Sequence, residues 1–117
     1  MTALEKVKVA VRALDAKKAS DIRVIRIGDI TVIADYFVFA GGTSTTQVKS
    51  LSDEVDYQLG LLGEQPLHTE GYQSANWIVL DYGDVVIHTF YKETREFYSL
   101  EKLWSDGEEI DIKTLLS

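Results

Sequence analysis

Few residues in this chain could do chemistry, and their spacing argues against most of what they could do. Histidine occurs twice, at His68 and His88, and neither has a second histidine or a carboxylate at metal-binding spacing, so no zinc site is expected. Cysteine is absent, which removes thiol nucleophiles, disulfides and thiolate metal sites together. No Gly-x-Ser-x-Gly elbow presents a serine nucleophile. Gly41-Gly42-Thr43-Ser44 is the one segment able to cradle a phosphate with backbone amides, because it falls between an expected strand and a helix N-terminus. It lacks the lysine of a P-loop, and the simpler reading is a tight strand-to-helix turn followed by a cap. A divalent ion would need carboxylates that converge. Asp53, Glu54 and Asp56 fall inside one expected helix and alternate across its faces. Asp81 and Asp84 could pair on an ion, but they flank a turn with no basic residue nearby to grip a triphosphate.

With catalysis poorly supported, the chemistry that remains is that of a surface. Asn76 to Asp81 and Asp84 to Phe90 are two β-rich runs around Tyr82-Gly83, the pattern of a hairpin. If Tyr82-Gly83 is a two-residue loop, Asp81 lies opposite Asp84, Val79 opposite Val86, and Trp77 opposite His88. One face then carries Trp77, Val79, Asp81, Asp84, Val86 and His88. The other carries Ile78, Leu80, Val85 and Ile87, which is uniformly apolar and reads as the side packed against helices. Two facing carboxylates repel, which favours exposure or a basic partner, and an exposed tryptophan beside them is a residue type enriched at interface hot spots. Trp77 reads equally well as core, with the aspartates framing a polar turn, and a register shift of one residue would exchange the faces.

The elements that must position this hairpin follow from periodicity. Leu4, Val7, Val11 and Leu14 share one helical face, with Lys6, Lys8, Arg12 and Asp15 on the other. Ile22 to Ile27 reads as a strand closed by Gly28-Asp29. Tyr36 to Ala40 is a continuous apolar run, expected near the centre of a sheet with both faces covered. Ser44 and Gln47 have capping-box spacing ahead of Val48, Leu51, Val55, Leu59 and Leu62, a helix that Gly60 and Gly63 should end before Pro66. Leu67 to Glu70 is expected as a short edge strand. Arg95 to Leu103 has helix-compatible spacing, and 106–117 reads as an acidic, poorly specified tail. Alternating helices and strands with one hairpin imply a single α/β domain, a mixed β-sheet with flanking helices.

Composition narrows the partner. The chain has 117 residues, 45% hydrophobic and 26% charged, enough to bury one core. Twelve Lys and Arg stand against 19 Asp and Glu, a net charge of −7, opposite in sign to a protein that wraps nucleic-acid phosphates. Net acidity favours a basic partner, or serves solubility alone. No apolar run approaches the roughly 18 to 20 residues that span a bilayer, and the N-terminus enters a charged amphipathic pattern at once, so a soluble cytoplasmic protein is expected.

Several segments together resemble one family. Ile33-Ala34-Asp35-Tyr36-Phe37-Val38, Gly42-Thr43-Ser44 with Gln47-Val48-Lys49, Glu70-Gly71, Ala75-Asn76-Trp77, Leu80 to His88, and Arg95 to Trp104 are similar, in order and over nearly the whole chain, to the ribosomal silencing factors of the Iojap family. The turn at Gly41 to Ser44 also resembles that of the nucleotidyltransferase fold, and the family resemblance implies that fold without its catalytic carboxylates, no cofactor, and a binding function. Family members dock on the fourteenth protein of the large ribosomal subunit, exclude the small subunit, and so lower translation when nutrients are scarce. Carried onto this sequence, the resemblance implies Trp77 as an apolar anchor, Asp81 and Asp84 as partners for basic residues, and Tyr82 and His88 as polar contacts. Tyr98, Leu103 and Trp104 match the family's C-terminal motif, although Phe97, Leu100 and Trp104 also read as core. The resemblance admits homodimers. The competing expectation is a nucleotide-binding or nucleotidyltransferase-like enzyme built on the Gly41 to Ser44 turn.

Overall fold

A computed structural model describes residues 1–28, 33–94 and 107–116. In chain order it contains α1 (Ala3–Ala16), β1 (Ser20–Arg26), β2 (Tyr36–Gly42), α2 (Thr45–Leu61), β3 (His68–Glu70), β4 (Trp77–Asp81), β5 (Val85–Tyr91), β6 (Glu108–Ile110) and α3 (Ile112–Leu116). The strands form one six-stranded sheet in the order β3-β4-β5-β2-β1-β6. Only β2 and β5 pair in parallel; the other neighbours are antiparallel. This is the mixed α/β domain expected, with the apolar run of β2 in the middle of the sheet and β3 at an edge.

The sheet is covered differently on its two faces. On one, Val24, Val38, Ala40, Ile78, Leu80, Val85 and Ile87 pack against Val7, Val11 and Leu14 of α1 and Val48, Leu51, Val55 and Leu59 of α2. On the other, Ile25, Ile27, Phe37, Phe39, Val86 and Phe90 form a second cluster, with Trp77 and Val79 packed on it. The period-2 reading of the hairpin therefore assigned the helix-facing residues correctly.

Both long helices begin on side-chain caps. Thr2 and Glu5 form a reciprocal capping box at α1. At α2 the Ser44 hydroxyl accepts from the Gln47 amide at 3.0 Å, but the Gln47 side chain turns to the Thr43 amide, 2.7 Å away. The expected box at Ser44 is thus half formed, its second arm capping one residue earlier.

Two expectations are corrected. Lys6, placed by periodicity on the outer face of α1, is 8% exposed. Ala10 and Ala13, on its side of the helix, are small and buried, so the covered stripe widens to include it. The C-terminal segment expected as an unspecified tail instead forms β6 and α3. Glu108 pairs with Arg26 and Ile110 with Val24 in the ladder, and Leu115, 3% exposed, enters the helix-side core. Burial of that one leucine and the ladder bonds order a segment whose charge suggested otherwise. The helix expected from Arg95 to Leu103 lies outside the described residues.

Candidate protein-interaction surface

The surface is built on the β4–β5 hairpin. Its ladder pairs Asp81 with Val86, Val79 with His88 and Trp77 with Phe90. Tyr82 donates its amide to the Val85 carbonyl at 2.9 Å, so the two-residue loop is Gly83-Asp84, one position later than expected. Gly83 sits at φ +89°, the left-handed backbone that such a loop requires. The pairing consequently moves by two residues. A shift of two preserves the period-2 faces, so Trp77, Val79, Asp81, Val86 and His88 still share one side, but the expected pairings of Asp81 with Asp84, Val79 with Val86 and Trp77 with His88 are all replaced.

The loop residues turn to the helix side. Asp84 accepts from the Lys6 ammonium at 2.8 Å, and Glu64 lies 3.6 Å from the same nitrogen. Its hydrogen bond to Asp84, first, and the two carboxylate charges raise the Lys6 pKa against the opposing pull of burial. The Asp84 carbonyl also accepts from the amides of Asp35 and Tyr36, at 2.8 and 3.2 Å, joining the hairpin to the start of β2. Tyr82, 5% exposed, belongs to the helix-side core, and its hydroxyl has no hydrogen-bond partner among the described residues. Burial, and after it the charges of Asp56 and Glu64, push that hydroxyl's pKa up. Tyr82 therefore anchors the loop from inside, where a surface contact was expected.

The opposite face is aromatic. His88 is 8% exposed, its ring stacked on Phe39 at 5.1 Å and on Phe90 at 6.1 Å, with Phe37 edge-on at 5.0 Å. The Trp77 indole stacks on Phe90 at 5.4 Å and donates its Nε1–H to His88 Nδ1 at 3.1 Å. Burial lowers the His88 pKa to about 4, only partly opposed by the charge of Asp81. The imidazole is thus neutral at ordinary pH and is a buried member of the cluster.

What reaches solvent is the outer edge of this face. Trp77, Val79 and Asp81 are half-buried on β4. Antiparallel pairing puts His68 beside Asp81 and Glu70 beside Val79, and β3 is exposed along its whole length. Asp81 keeps one oxygen on the Gly83 amide at 2.8 Å, and neither Asp81 nor Glu70 has a cationic partner among the described residues. The result is an acidic strip beside a half-buried tryptophan. Sequence reading missed His68 and Glu70 in this role, because their place depends on which strand β3 joins. Tyr98, Leu103 and Trp104 lie outside the described residues.

Before Trp77 the chain is held by a tight turn. Gly71, at φ +78°, accepts from the Ala75 amide at 3.0 Å, and Asn76 accepts from the Tyr91 amide at 2.9 Å. A methyl on Gly71 would collide with the Trp77 carbonyl oxygen.

The turn ahead of α2 is closed on itself. The backbone amides of Thr43 and Gln47 are taken by Gln47 Oε1 and Ser44 Oγ, and Gln47 Nε2 donates to the Lys18 carbonyl at 3.3 Å. These are among the donors a phosphate would need. No group of three or more metal-capable side chains occurs among the described residues, and no helix there is long and apolar enough to cross a membrane.

Comparison with known proteins places these features in context. The family model described as ribosomal silencing factor during starvation matches residues 1–117. A ribosomal silencing factor of Halalkalibacterium halodurans is 36% identical over 117 residues, covering 100% of both chains. A mouse protein named for mitochondrial assembly of the ribosomal large subunit is 33% identical over 102 residues, 85% of this chain and 45% of its own length. Among solved structures, a Chromobacterium violaceum protein superposes with a TM-score of 0.87 at 32% identity, covering 95% of this chain and 92% of that one.

Proposed function

The chain belongs to the ribosomal silencing factor family, and from that premise we propose that it silences by docking on the large ribosomal subunit and excluding the small one. The docking partner is the fourteenth protein of the large subunit, the compartment is the cytoplasm, and the consequence is repressed translation when nutrients are scarce. Support for the large subunit comes from the name of the mouse relative and from the family resemblance of the hairpin motifs.

The observation that carries the reading is the Trp77–Asp81 edge. A half-buried indole backed by packed aromatics can supply apolar contact with little loss of side-chain freedom. Asp81 and Glu70, free of internal cations among the described residues, suit lysines or arginines on a basic partner. In this reading Trp77 anchors, Asp81 and Glu70 steer and pair, and Asp84 and Tyr82 hold the hairpin in shape. The activity needs no catalytic group: occupying the surface is enough. Tyr98, Leu103 and Trp104 extend the proposed interface by resemblance alone.

Co-sedimentation with isolated large subunits tests this. Wild type should pellet with them at moderate salt, and Trp77→Ala should remain in the supernatant while still unfolding cooperatively, at a lower temperature because the Phe90 stack and the His88 bond are lost. Wild type left in the supernatant would end the proposal. Nucleotide chemistry is the weaker reading, since the turn that would serve it uses its Thr43 and Gln47 amides internally.

A further inference from the structure

We propose that His88 is a positioning residue: it sets the orientation of the Trp77 indole for the partner and does not touch the partner itself. The inference rests on the reading of Trp77 as the anchor. It begins from donor and acceptor chemistry. An indole N–H only donates, so the 3.1 Å contact from Trp77 Nε1 requires a lone pair on His88 Nδ1. The imidazole proton is then on Nε2, and one tautomer is selected.

The surroundings of His88 make sense only if that lone pair matters. The ring is 8% exposed and sits among Phe37, Phe39 and Phe90, an apolar setting in which a hydrocarbon side chain would leave no polar atom to satisfy. The cost of the polar ring is visible, because Nε2 is buried and has no hydrogen-bond partner among the described residues. A buried donor left unsatisfied while the ring's other nitrogen serves a half-exposed tryptophan points to orientation of that tryptophan as the gain. The bond holds the indole in the rotamer that stacks on Phe90, so less freedom remains to be lost when a partner closes over it.

The test uses the full chain with His88→Phe, which keeps a ring and deletes the acceptor, and His88→Asn, whose amide oxygen can stand near the place of Nδ1. Each is made alone and with Trp77→Phe. The indole Nε1–H resonance of Trp77 and the affinity for isolated large subunits are read, with a thermal melt for each variant. We expect His88→Phe to move the resonance, speed its exchange and weaken binding about tenfold, His88→Asn to restore most of both, and His88→Phe to add less than about twofold when Trp77 is already Phe. If His88→Phe fails to fold, His88→Leu takes its place.

An equal loss in the Trp77→Phe background would mean that His88 contacts the partner directly, and would overturn the proposal. So would unchanged affinity of His88→Phe beside a binding wild type. Absence of wild-type binding would remove the surface reading, and the His88 role with it, while an altered indole resonance would still identify the hydrogen bond itself.

Discussion

Lys6, in the first helix, holds Asp84, in the hairpin loop, at 2.8 Å across 78 residues of sequence. The contact ties the N-terminal helix to the turn that sets the register of β4 and β5, and Glu64 joins it from beyond the end of α2. An aspartate that looks from sequence like a surface charge is thereby committed to the fold.

Asp84 is accordingly expected to affect stability before binding. Among the described residues, Asp84→Ala leaves the Lys6 ammonium, 10% exposed in its side chain, with only the more distant Glu64. The loss should be about 1 to 3 kcal/mol, less than for a fully buried pair because the Asp84 side chain is 32% exposed. Lys6→Met should recover part of it in the double variant, since the stranded charge is then gone. Urea denaturation of the two single variants and the double one checks the coupling.

His88 predicts a pH dependence whose sign follows from its burial. Its folded pKa is about 4 and its ordinary value 6.5, so between these the unfolded chain binds the extra proton. Stability from this group is complete above 6.5 and is lost as pH falls from 6.5 towards 4, by an amount on the order of 3 kcal/mol. His88→Phe should flatten that limb of the curve. Thermal melts of both proteins between pH 7 and pH 4, in one buffer series, give the comparison.

Trp77 and Asp81 should separate affinity from steering. Trp77→Ala is expected to weaken binding to the large subunit by about 2 kcal/mol or more. Asp81→Asn keeps an acceptor for the Gly83 amide while removing the charge, so it should leave stability within about 0.5 kcal/mol and reduce the salt dependence of binding. Equilibrium binding at low and at moderate salt distinguishes the two effects.

Gly71 should tolerate no side chain. Its φ of +78° is strained for any other residue, and the added Cβ of alanine meets the Trp77 carbonyl. Gly71→Ala is expected to destabilise by more than about 1 kcal/mol and to disturb the Trp77 resonances even where the fold survives. Guanidinium denaturation together with the indole spectrum measures both.

The sequence made legible whatever depends on period and on continuous burial. The run from Tyr36 to Ala40 announces a central strand, and the alternation from Ile78 to Ile87 separates the helix-facing side from the aromatic one. The hairpin loop was misplaced by one residue because Tyr82-Gly83 and Gly83-Asp84 are both turn-competent pairs. Burial of the Tyr82 ring in the helix-side core decides between them, and that is a tertiary fact. The same holds for Lys6, whose partner lies in the hairpin, and for His68 and Glu70, whose face is set by pairing of β3 with β4. The end of the chain misled because Glu108 and Glu109 are exposed as their charge suggests and yet pair in the ladder with Arg26 and Ile25, with Glu109 3.9 Å from the Arg23 side chain. His88 was expected at the surface from parity and from the family resemblance. Parity assigns a face but does not say what covers it.

In the proposed function this chain, seated on the large subunit, prevents the small one from joining. Purified subunits mixed with and without the protein, and resolved on a sucrose gradient, test it directly. Pre-incubation of large subunits with wild type should leave both subunits unjoined, with the protein in the large-subunit fractions, and Trp77→Ala should restore joining. Joining that proceeds undiminished with the wild-type protein bound to the large subunit would contradict the account.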